Sequence, residues 1–135
     1  MAKWKALRIV KAGGFGIIKN GLMNRNILYA IMLYVIGQAM VWFQSNGQFV
    51  WPFFKKHPLL IAFAGVPISY IFIKSTKLSY SGFGILWPGR MLGFAVGVII
   101  FTALSQVFMG ETINFKSALC LFLSLIIICI QIFMK

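Results

Sequence analysis

The sequence predicts an all-α integral membrane protein, a four-helix bundle with both termini on the same side of the bilayer. Three observations carry this. Of 135 residues, 61% are hydrophobic and only 10% charged, with a mean hydropathy of +0.92, far above that of a soluble domain of this size. The apolar residues gather in four runs, and four spanning helices of roughly 20 residues each would use about 80, which leaves loops and a tail. Thirteen Lys and Arg against one acid, Glu111, give a net charge of +12, and most of these cations flank the runs.

Residues 1–26 (MAKWKALRIVKAGGFGIIKNGLMNRN) mix six basic residues with short apolar patches and a Gly-Gly-Phe-Gly break. That pattern predicts a basic interfacial segment. It lacks the continuous apolar stretch and small-residue cleavage site of a secretory signal. The four-helix transmembrane domain then covers residues 27–135. Its first span is expected over about 27–43, closed by the polar, turn-prone Gln-Ser-Asn-Gly-Gln, with Gln38 inside it. The second, about 58–73, opens on a proline and carries an internal Pro67 that should kink it.

Between Lys77 and Glu111 the only charge is Arg90. One straight helix over that stretch would be about 50 Å long, more than a bilayer core. Pro88 and Gly89 are the obvious breakers, so the expectation is an irregular entry followed by a third span over about 90–109. The fourth span, about 118–134, is almost uniformly apolar. With four spans, the tail, Lys74, Lys77 and Lys135 fall on one side with nine basic residues, against Lys55, Lys56 and Lys116 on the other. The positive-inside rule then puts both termini in the cytoplasm, in a single orientation, in the inner or plasma membrane of a bacterium or its equivalent.

Composition also excludes function classes. The basic residues form no aromatic-interleaved face, so anionic lipid headgroups and not nucleic acid are the expected partners of the positive charge. Cys120 and Cys129 are nine positions apart in one helix, which places them on opposite faces and prevents their pairing there. With one histidine, His57, and one acid, no metal set is available within a chain, and no nucleophile-base pair is visible. Neither enzymatic chemistry nor a cofactor is expected.

Two stretches resemble the small multidrug resistance family of the drug/metabolite transporter superfamily. Tyr34-Val35-Ile36-Gly37, with Phe43 and Gly47-Gln48-Phe49 beyond, looks like that family's Glu-Val-Ile-Gly segment and its downstream glycine and phenylalanine. Gly93, Ala95, Gly97, Ser105, Phe108 and Gly110-Glu111 look like its glycine-rich third helix, which commonly ends in Gly-Glu. The resemblance covers roughly residues 27–134 and implies a four-helix transporter working as a dimer. It departs where it matters chemically. The family's first-helix glutamate, which exchanges cationic substrate for protons, falls at Tyr34, and a phenol keeps its proton at neutral pH. No span contains Asp or Glu, so a proton-coupled exporter of lipophilic cations is disfavoured. Arg90 falls near a position where the family places an aromatic residue lining its chamber.

The candidate ligand contacts are therefore Arg90, Tyr34, Gln38 and Trp87. Arg90 reads two ways. Beside Trp87 it suits an interfacial anchor that snorkels to the headgroups. Inside a chamber it would suit a phosphate or carboxylate, because an intramembrane charge costs roughly 2.5–3.5 kcal/mol and needs a partner or a task. Tyr34 and Gln38, at i and i+4, project side by side with Gly37 adjacent; Arg90, Gly93 and Gly97 share one face of the third helix. Gly37, Gly93 and Gly97 are expected at close helix contacts. Two functions fit: a small multidrug resistance-like transporter or flippase-type subunit for an anionic or neutral amphiphile, or a non-transporting scaffold or accessory subunit of a larger membrane complex. The expected partner is a second copy, a paralogous chain or that larger complex.

Overall fold

The computed structural model describes residues 25–134, and the expected interfacial segment, apart from Arg25 and Asn26, lies outside them. The described residues form six helices: α1 (Arg25–Val50), α2 (Pro52–Lys56), α3 (Pro58–Phe63), α4 (Gly65–Phe83), α5 (Leu86–Met109) and α6 (Phe115–Phe133). α3 and α4 together make one span, Pro58–Phe83, and with α1, α5 and α6 they give four helices long and apolar enough to cross a membrane.

All four spans run past the limits read from the sequence at one end or both. α1 continues through Gln44-Ser45-Asn46-Gly47-Gln48 to Val50 because those polar side chains return to backbone oxygens. Asn46 Nδ2 donates to the Trp42 carbonyl at 3.2 Å and Gln48 Nε2 to that of Ser45 at 3.0 Å. The second span extends ten residues beyond Ile73, so Lys74 and Lys77 lie within α4 and not in a loop. The third begins at Leu86 and not Arg90. The chain turns instead at Gly84, whose φ of 75° only glycine adopts readily, and at the extended Ile85. Pro88 then sits in the first turn of α5, where its missing N–H costs no helix bond. α6 starts at Phe115, capped by Asn114, whose side-chain oxygen accepts from Ser117 N at 2.9 Å.

Small residues set the packing. α1 runs antiparallel to α4, with Ile27 against Gly82 and Phe72 against Gly37, and parallel to α5, with Tyr34 against Gly93 and Gln38 against Gly97. α6 lies along α5. Ala30, Tyr34, Leu92 and Val96 form the buried centre. Four serines, at 75, 79, 105 and 124, are buried. Their hydroxyls are satisfied by backbone or by a ring: Ser105 Oγ accepts from Trp42 Nε1 at 2.9 Å, and Ser75 and Ser124 donate to carbonyls one turn back. Small and hydroxyl residues inside, with large apolar ones such as Leu59, Phe63, Phe94 and Phe115 outside, is the inversion expected of helices whose outer solvent is lipid.

Candidate functional site

Three glycines on α5, at 89, 93 and 97, form one stripe at i, i+4 and i+8, and each receives a polar side chain. A Cβ at Gly89 would lie 2.6 Å from Ser79 Cβ, at Gly93 2.9 Å from Tyr34 Cε1, and at Gly97 2.7 Å from Gln38 Nε2. Only missing side chains allow this approach. Gln38 Nε2 donates to the Gly93 carbonyl at 3.3 Å, and Ser79 Oγ donates to Tyr34 Oη at 3.3 Å.

Beside that contact a pocket of ≈ 340 Å³ opens between α1, α4 and α5. Tyr34 and Ser79 line it and are both almost fully buried. Thr76, Leu86, Trp87, Gly89 and Arg90 complete its walls and rim. Arg90 is exposed there, and its side chain makes no hydrogen bond or ion pair among the described residues. Trp87 is 72% exposed.

The sequence-predicted residues thus divide. Tyr34, Arg90 and Trp87 line one pocket. Gln38 does not: it sits a turn deeper, committed to the Gly93 carbonyl and packed on Gly97. Gly37, Gly93 and Gly97 are all close-contact glycines. Sequence reading missed Gly89, Ser79 and Thr76. Gly89 extends the Gly93/Gly97 spacing by one turn, and Ser75 with Ser79 is a small residue pair at i, i+4; both signals were present. Glu111 lines a separate, smaller pocket at the opposite end, with Thr102, Ser105 and Ser117, and forms no ion pair with Lys116.

No protein-family model, curated protein or solved structure matches the chain. The chemistry of the pocket is then what bears on function. Its walls are apolar at Leu86 and Trp87, and its polar groups are a guanidinium and three hydroxyls. A cation would meet Arg90 and find no carboxylate in the lining. The chemistry suits a ligand with an apolar body and a hydrogen-bond-accepting or negatively charged end.

Proposed function

We propose that the chain is a small multidrug resistance-like transporter or flippase-type subunit that takes an anionic or neutral amphiphile and does not couple to protons through a membrane carboxylate. The observation that carries this is the pocket joining apolar walls to Arg90 and Tyr34. The depth of Arg90 fits the polar end of an amphiphile and equally the interfacial anchor. Arg90 lies four residues inside α5, about 6 Å along the axis at 1.5 Å per residue. The 24 residues of α5 span about 36 Å, some 6 Å more than the hydrocarbon core. With that excess shared between the two ends, Arg90 stands about 3 Å inside the edge of the core, close to where an amphiphile keeps its polar end.

The test is lipid or amphiphile exchange in vesicles containing the full chain, using a fluorescent phosphatidylglycerol and an impermeant quencher. Wild type should expose label from the inner leaflet. Arg90→Ala should slow that exchange at least about tenfold, the loss of one charge-assisted contact. Unchanged exchange in a normally inserted Arg90→Ala protein sinks the reading.

A second reading, a non-transporting accessory subunit, draws support from α6, which packs on α5 and leaves most of its apolar surface exposed. Purification as a stable homodimer, the assembly the first reading implies, counts against it.

A further inference from the structure

Building on the amphiphile reading, we infer that the ligand's polar end is a phosphate ester and that its source is a membrane lipid on the Arg90 side. The polar groups lining the pocket have protons to give. The Arg90 guanidinium has no partner among the described residues. Tyr34 and Ser79 hold two hydroxyl protons between them and spend one on their mutual bond, which leaves the other, on a pair 96% or more buried, with no acceptor among the described residues. Thr76 adds a third hydroxyl. At the α5 N-terminus, Ile85 supplies no side-chain cap and the first turn holds no acid, so the backbone N–H groups of Leu86 and Trp87, both pocket residues, also lack an intrahelical acceptor.

A carboxylate has about four lone-pair sites, and a guanidinium fork takes two of them, which leaves fewer than the hydroxyls and amides here could fill. A phosphate ester offers further oxygens to the hydroxyl and the amides while the fork holds two. The remaining walls point to a lipid source. Leu86 and Trp87 are apolar and exposed, giving an acyl chain a way out sideways. The exposed Lys77 of α4 stands within about one turn of the level at which Ser79 meets Gly89, whereas Lys74 Nζ reaches back over the Tyr70 ring, 5.1 Å from its centroid. Lys77 marks a depth from which a lysine arm snorkels to lipid phosphates.

The experiment compares chain-labelled spin probes of phosphatidic acid, a fatty acid and phosphatidylcholine, in vesicles holding the full chain, and reads the motionally restricted fraction of each. Phosphatidic acid should associate about tenfold more strongly than phosphatidylcholine, and Arg90→Gln should remove that preference. Thr76→Phe, which fills the pocket from an exposed position, should remove it too and serves if Arg90→Gln does not insert. Lys74→Gln with Lys77→Gln should leave most of it. A fatty acid held as strongly as phosphatidic acid, with the same Arg90 dependence, overturns the phosphate assignment and leaves the amphiphile reading intact. Displacement by excess inorganic phosphate overturns the lipid source. A preference untouched by both Arg90→Gln and Thr76→Phe removes the pocket from the binding event and takes the amphiphile reading with it.

Discussion

Gly89 and Gly97 meet different kinds of neighbour, and their substitutions should differ accordingly. A Cβ at Gly89 collides with Ser79 Cβ, an atom fixed to the α4 backbone, so α4 and α5 must part. A Cβ at Gly97 meets the amide end of Gln38, which can swing away at the cost of its bond to the Gly93 carbonyl, about 0.6 kcal/mol in a membrane. Alanine also recovers up to roughly 1 kcal/mol of helix propensity at either site. Gly97→Ala should therefore stay within about 1 kcal/mol of wild type, and Gly89→Ala should lose about 1–3 kcal/mol, as overpacking does. Thermal unfolding in detergent gives the order, and a Gly97→Ala protein less stable than Gly89→Ala contradicts the packing described. Residue chemistry was partly legible in advance. The spacing of Gly93 and Gly97 shows in the sequence, whereas Gly89 beside Pro88 reads as a breaker, because nothing local says that the turn has already been made at Gly84.

At the scale of an element, the interruption of the second span at Ala64 has two causes. Pro67 has no N–H to offer the carbonyl of Phe63, four residues earlier. The Ala64 N–H turns to the Ile61 carbonyl at 3.1 Å, and Gln44 Nε2 of α1 reaches the carbonyls of Ile61 at 3.1 Å and Ala62 at 3.4 Å, over the bare face of Gly65. The proline is visible in the sequence; the glutamine is not, because its partners lie 17 and 18 residues away. The same blindness made Gln44 look like the start of a turn. Amide hydrogen exchange over residues 58–68 separates the two causes. Gln44→Leu should speed it roughly fivefold to tenfold, one hydrogen bond's worth, and Pro67→Ala should slow it by restoring a helix donor. If both changes move exchange in the same direction, the glutamine is not the clamp.

Across the whole molecule, the ends differ in charge and in aromatic content. The pocket end carries Arg25, Lys74, Lys77 and Arg90, while the other carries Lys55, Lys56 and Lys116 beneath a cluster in which Phe108 lies 5.4–5.5 Å from the rings of Trp42, Phe43 and Trp51. Four spans were legible from hydropathy alone; that Arg90 belongs with the basic end was not, since it depended on where α5 starts. Adding it to the tail, Lys74, Lys77 and Lys135 raises the bias already counted from the sequence and predicts one orientation, the pocket end cytoplasmic. In a background with Cys120 and Cys129 replaced by serine, an impermeant maleimide should label Thr112→Cys in intact cells and Ile85→Cys only after permeabilisation. Lys74→Gln with Lys77→Gln should not change that, because the remaining cations still dominate. Replacing Lys3, Lys5, Arg8, Lys11 and Lys19 as well leaves Arg25, Arg90 and Lys135 against Lys55, Lys56 and Lys116. With the two ends balanced, both cysteines should label in intact cells, each on part of the population. Retention of a single orientation in that variant means that something other than charge fixes it, and the assignment of the Arg90 pocket to the cytoplasmic leaflet then loses its basis.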